Sequence, residues 1–156
     1  MVEKAFVKMG GAFYSTSFSK LLKWAQSRSL WYFSTGSSCC ADEVLSSMGC
    51  RYDMERFGCL PQHDPRQSDL LIVCGIVSHK SAPHLKQLYE AMLSPKWVLA
   101  IGACANGGGA FSPQFSYSVV PGVEQVIPVD VYIPGCPPRP EAIMNGLMAL
   151  QDKICG

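Results

Sequence analysis

Two adjacent cysteines, Cys39 and Cys40, stand in the small-residue stretch Gly36–Glu43 (GSSCCADE), an arrangement unlike ordinary core filling. Cys104 follows in Gly102–Gly109 (GACANGGG), and Cys136 in Pro134–Pro138 (PGCPP). Each of these four thiols lies in a turn rich in Gly, Ser or Pro. Four thiolates are the donor set of a cubane iron–sulfur cluster. Glycine turns such as those at Gly102, Gly107–Gly109 and Gly135 let backbone N–H groups approach sulfur, and Pro137 and Pro138 stiffen the chain beyond Cys136. Structural zinc and plainly buried thiols are the competing readings. Zinc favours C-x2–4-C knuckles, which these four cysteines do not form. A phosphate-binding P-loop is excluded, because Gly102–Gly109 lacks the Lys–Ser/Thr pair. Consecutive side chains of an extended segment point apart. Cys39 and Cys40 therefore reach one cluster only if the backbone bends sharply, and strain is expected there.

The elements that must present these thiols follow from the hydrophobic pattern. Residues 1–15 show no periodicity and are expected to form a mobile arm. From Thr16, Phe18, Leu21, Leu22, Trp24 and Ala25 fall near one side of a helix, with Lys20, Lys23 and Arg28 mostly elsewhere. Such a short amphipathic helix suits a membrane surface, a subunit groove or packing on its own domain. Ser29–Phe33 reads as a strand feeding the Gly36 loop, and Asp42–Met48 as a helix stopped by Gly49. Arg51–Gly58 is a charged and aromatic turn, and Cys59–Ser68, with Pro61 and Pro65, reads as loop. Asp69–Val77 (DLLIVCGIV) is a continuous branched run of the kind buried on both faces of a sheet. A helix over Ser81–Leu93, strands over Lys96–Ile101 and Val126–Ile133, and a helix over Arg139–Ile154 complete the chain. Strands alternating with helices predict an α/β parallel sheet with helices on both faces. Binding sites in such sheets lie beyond the carboxyl ends of the strands. All four thiols follow a strand and are expected at that one edge.

Composition narrows the function classes. At 156 residues the chain is one domain, split as residues 1–28 (arm and helix) and 29–156 (α/β domain), and 48% hydrophobic content supports a real core. A net charge of +1 with no Lys/Arg run argues against a nucleic-acid partner. Charged residues are only 16%, below the roughly 25% usual for soluble domains, so much surface is expected to face partners. Eight cysteines without a secretory h-region point to a reducing compartment rather than a disulfide scaffold. The apolar run Leu70–Val77 is far too short to span a bilayer.

Several motifs, in order, resemble one family. They are Cys39–Cys40 with Glu43, Arg51–Tyr52–Asp53, Pro65–Asp69 (PRQSD), Gly102-x-Cys104-Ala105, Ser116–Ser118 (SYS) and Pro128–Pro138. This pattern, from about Ser29 to Ile154, is similar to the 20 kDa (PSST-type) subunit of respiratory complex I, the NADH:quinone oxidoreductase. The resemblance implies a flavodoxin-like fold and one terminal 4Fe–4S cluster held by Cys39, Cys40, Cys104 and Cys136. It implies electron transfer to quinone in a pocket shared with a 49 kDa-type subunit, and an upstream ferredoxin-like iron–sulfur subunit as donor. It also implies membrane-arm partners for the N-terminal helix, and a peripheral place on the cytoplasmic face of a bacterial membrane or an equivalent organelle interior. The absence of an Arg-rich presequence favours the bacterial case.

Ala41, Asp42, Glu43, Leu45, Arg51, Asp53, Phe57 and Arg66 become candidates for lining the quinone site or tuning the cluster. Arg51 and Arg66 would balance charge, unless they simply pair with Asp53 and Asp69. Glu43 and Asp53 would move protons, or stand as solvated carboxylates. The chain departs from the family where Tyr32 to Thr35 replace Pro-Leu-Thr-Phe, where Asp42 replaces an apolar residue, and where Val44 and Leu45 replace two methionines. The small subunit of an energy-conserving membrane hydrogenase is the alternative on the same scaffold. Its C-x-x-C spacing would put the earlier ligand at Ser37, where this chain has no cysteine. A non-redox assembly module is a further alternative, opposed by the presence of all four thiols. Cys50, Cys59, Cys74 and Cys155 have no role assigned, and Cys74 reads as a core thiol.

Overall fold

A computed structural model describes residues 12–36 and 38–156. Most of the expected N-terminal arm lies outside the described residues, and from Ala12 the chain is already helical. Helix α1 (Ala12–Ser27) packs against the last helix of the chain, α5 (Pro140–Cys155). Ser27 is buried at that contact, where its Oγ accepts from Cys155 Sγ at 3.2 Å. Leu21, Leu22 and Trp24, on the apolar side read from the sequence, stay exposed. Among the described residues, no helix is long and apolar enough to cross a membrane.

Five parallel strands form the sheet in the order β2-β1-β3-β4-β5. They are β1 (Leu30–Thr35), β2 (Cys59–Pro61), β3 (Leu70–Cys74), β4 (Trp97–Ile101) and β5 (Val131–Ile133). This is the flavodoxin-like order, which reverses between β1 and β3. Every residue of β3 is buried, as its unbroken branched run requires. Consecutive strand residues serve opposite layers. Leu70, Ile72, Leu99 and Ile101 pack with Val44 of α2 (Cys39–Met48) and with Ile143, Leu147 and Leu150 of α5. Leu71, Val73, Val98 and Ala100 pack with Leu85 of α3 (Ala82–Ala91) and with Val120, Val123 and Ile127.

Several elements differ from expectation, among them α2, which starts at Cys39 rather than Asp42. Cys59–Pro61, expected as loop, is a short edge strand parallel to β1, with Leu30 opposite Cys59. Proline is tolerated there because an edge strand has an unpaired side. The last strand is only Val131–Ile133, shorter than Val126–Ile133. Val123–Gln125 turns as a 3-10 helix, and Pro128 offers no N–H. Asp130 joins the sheet through both backbone and side chain. Its N–H donates to Val98 O and its Oδ2 accepts from Val98 N–H, each at 2.9 Å, while Lys153 Nζ donates to Oδ1 at 2.8 Å. Finally, Ala103–Gly107, expected as a glycine turn, forms the short helix α4.

Two stability predictions arise from this frame. Lys96 Nζ donates to Tyr89 O at 2.6 Å and Met92 O at 3.3 Å, closing the C-terminus of α3, and lies 4.0 Å over the Tyr89 ring. Lys96→Met should destabilise the chain by about 1–2 kcal/mol in urea unfolding. Cys59, fully buried on β2, has its thiol pushed up from 9.0 to about 11 by burial. The fold favours its protonated form, so that contribution is complete below pH 9 and is lost as pH rises through about 11. Urea titrations should show stability falling across this window. Cys59→Ala should lessen the fall by an amount on the order of 2 kcal/mol.

Candidate functional site

The carboxyl edge of the sheet gathers the predicted thiols. Gly36 follows β1 and the cysteine pair opens α2, while Cys104 follows β4 on α4 and Cys136 follows β5. Cys39 and Cys40 are the first residues of a helix rather than part of an extended segment. Successive helical residues are turned by about 100° and not 180°, so two neighbours can serve one side without the strain expected at them. The sharp bend falls instead at Gly36, where φ is +125°. A Cβ there would meet Cys74 O at 2.1 Å, a conformation and an approach that only glycine allows.

Cys40 is buried, Cys104 half-buried, and Cys39 and Cys136 exposed. The Cys40 thiol is pushed up to about 11, first by burial, then by Cys39, with Cys104 and Cys136 adding to it. Cys104 is also raised, by burial and then by Cys136 and Cys39, while the Ala110 N–H pulls the other way. All four thiols thus lie within electrostatic reach of one another through Cys40 and Cys104. Buried Cys74, at the end of β3, is raised to about 12 by burial and by Cys40. As free thiols Cys40 and Cys104 resist ionisation, first through burial and then because neighbouring thiolates would oppose their charge. A cationic centre reverses that sign, and a thiol that coordinates one is deprotonated outright. This donor chemistry fits a metal–sulfur group. Among the described residues, no three His, Cys, Asp or Glu side chains close around one ion.

An open cleft of about 680 Å³ lies where the C-terminus of α2 meets the start of α5. Of the residues proposed from sequence, Glu43 and Arg51 line it, joined by Cys50, Tyr52, Arg139 and Glu141. Ala41 packs half-buried against the core, and Asp42 and Leu45 on α2 are exposed. Asp53, exposed, holds the left-handed region at φ +48° before the 3-10 turn Met54–Phe57. Phe57 is half-buried, with the Arg56 guanidinium 4.9 Å from its ring. Arg66 lies in the β2–β3 connection beside α3. Asp53, Phe57 and Arg66 do not line the cleft. The alternative pairings of Arg51 with Asp53 and Arg66 with Asp69 are not formed. The ion pairs among the described residues are Lys86–Glu90 and Lys153–Asp130. Cys50, Arg139 and Glu141 were not among the sequence candidates. The signal for Arg139 and Glu141 was the Arg-Pro-Glu directly after Cys136–Pro138, and Cys50 carried none beyond its place before Arg51. A second cavity of about 370 Å³ opens beyond β1 and β3, lined by Thr35, Ser78 and His84 among others, and holds none of the eight candidate positions.

A doubly wound sheet with four cysteines placed about its carboxyl edge defines the class: an α/β subunit of flavodoxin-like fold. The chain belongs to the family described as NADH ubiquinone oxidoreductase, 20 Kd subunit, which it matches over residues 38–150. It is therefore a subunit of an oxidoreductase complex. It is also similar to a chain in the structure of the membrane-bound sulfane sulfur reductase, an archaeal respiratory membrane complex. That match has 41% identity and a TM-score of 0.81, and covers 86% of this chain and 75% of that one.

Proposed function

We propose that Cys39, Cys40, Cys104 and Cys136 hold one 4Fe–4S cluster, and that the chain delivers electrons to the terminal acceptor of a membrane-associated respiratory complex. The observation that carries this reading is the meeting of four thiols from three separate strand exits, with Cys40 in electrostatic reach of the other three. When bound, such a cluster takes up and releases electrons singly. The chain's own residues do the rest. Cys39 and Cys40 stand on the first turn of α2, and the Ala110 N–H favours the Cys104 thiolate against the burial that raises it. Burial of Cys40 between α2 and the sheet keeps water from that side. Glu43 and Arg51 face the open cleft, where both can orient a polar head group and the Glu43 carboxylate can exchange its protons.

On this reading the acceptor is quinone, bound where the cleft meets a 49 kDa-type subunit. Electrons come from NADH through a ferredoxin-like subunit, and α1 rests on the membrane arm with Leu21, Leu22 and Trp24 outward. The site is then peripheral, on the cytoplasmic face of a bacterial membrane or its organelle equivalent. A second reading takes sulfane sulfur as acceptor, supported by the 41% identity to the archaeal reductase subunit and by Asp42, Val44 and Leu45 in place of the usual apolar residue and methionines. A hydrogenase role is opposed by Cys39 adjoining Cys40. The purified complex, assayed with NADH against a short-chain quinone and against polysulfide, decides. Quinone-dependent NADH oxidation is expected. Turnover with polysulfide and none with quinone would assign the second reading.

A further inference from the structure

Cys104 rides on α4, a helix of only five residues. So short a helix has no stability of its own to hold its direction. Its seat is the exit of β5. Gly102 N–H donates to Ile133 O at 2.9 Å, and Ala103 N–H donates to Gly135 O at 2.8 Å. A third bond comes from a side chain, Asn106 Nδ2 donating to Ile133 O at 3.1 Å. Ile133 closes β5, and Gly135 directly precedes Cys136. The donors therefore flank Cys104 on one segment, and the acceptors lead into Cys136 on the other. Two of these bonds are backbone to backbone and survive most substitutions. The Asn106 amide is the one that a side chain supplies. Its Oδ1 is buried and takes no protein donor, so the amide engages Ile133 through its N–H alone.

We infer that Asn106 is a positioning residue: its amide clamps the Cys104 turn to the Cys136 turn and sets the separation of the two thiols. The consequence for a bound cluster rests on the function proposed above, whereas the clamp itself does not. Asn106→Leu removes the donor at similar size, and Asn106→Asp places an acceptor against Ile133 O. Asn106→Gln keeps a donor on a longer arm.

In the assembled complex, the Leu and Asp variants should lose iron to a chelator about 10- to 100-fold faster. Their reduced EPR signal should be shifted and broadened, with Gln in between. In the iron-free full chain, hydrogen–deuterium exchange should quicken in residues 102–106 and 131–136 of the Leu and Asp variants, and nowhere else. Wild-type EPR, chelator kinetics and exchange in those variants would overturn the inference. If the wild-type complex holds no iron or sulfide, the cluster reading fails and exchange alone decides. Faster exchange confined to the two segments then upholds the clamp, and unchanged exchange overturns it.

Discussion

In the assembled complex, Cys136→Ser is expected to abolish reduction of the acceptor while the clusters upstream still reduce. Serine preserves the size of the side chain, but its hydroxyl stays protonated where a thiol bound to metal does not. Three thiolates then face a group that needs four. Cys136 is exposed, so the substitution leaves no hole in the core and the chain should still fold and assemble. Cys104→Ser should behave alike. Cys155→Ser is the control, since Cys155 lies at the end of α5 against Ser27, far along the chain from the thiol rim. Rapid freezing with NADH and EPR of the remaining clusters separates a broken terminal step from failed assembly. Full acceptor turnover in either ligand variant would contradict the account.

The second large effect is expected from Gly102→Ala, a change of one methyl group outside the cysteines. Gly102 has φ of +91°, and a Cβ built on it meets Cys40 Sγ at 2.4 Å. The backbone strain alone costs on the order of 1–3 kcal/mol, and the clash falls on the buried thiol at the centre of the set. The variant should therefore assemble with little iron and lose most acceptor reduction, as a Cys40 variant would. Gly107→Ala, whose Cβ has only Pro121 O within reach, at 3.9 Å, should retain both. Iron analysis of the two purified variants checks this, and normal iron in Gly102→Ala would count against Cys40 as a ligand.

The layout was readable where pattern is strong. The run through Leu70–Cys74 is apolar on both faces, and only an interior parallel strand asks for that. Once strands and helices alternate, the rule that sites lie at the carboxyl edge places Cys39, Cys40, Cys104 and Cys136 together. Short elements were not legible. Cys59–Pro61 is three residues with a proline, and its pairing comes from β1 beside it rather than from its own propensity. Ala103–Gly107 looks like a glycine turn, yet hydrogen bonds to the β5 exit hold it helical. The start of α2 at Cys39 was missed because cysteine carries no helix signal of its own.

The cleft was only half visible. Glu43 and Arg51 were recognised from motif order, but Arg139 and Glu141 enter from α5, distant in sequence and brought close by packing on α2. Motif order says nothing of direction, and of the eight candidates only Glu43 and Arg51 line this cleft.

The central claim is tested most directly by iron and acid-labile sulfide analysis of the purified complex, with EPR of its dithionite-reduced form, in wild type and Cys104→Ser. The account predicts that the variant lacks about four iron and four sulfide per complex and one axial or rhombic 4Fe–4S signal. Equal iron, sulfide and EPR in the two proteins, or zinc in place of iron, would contradict it.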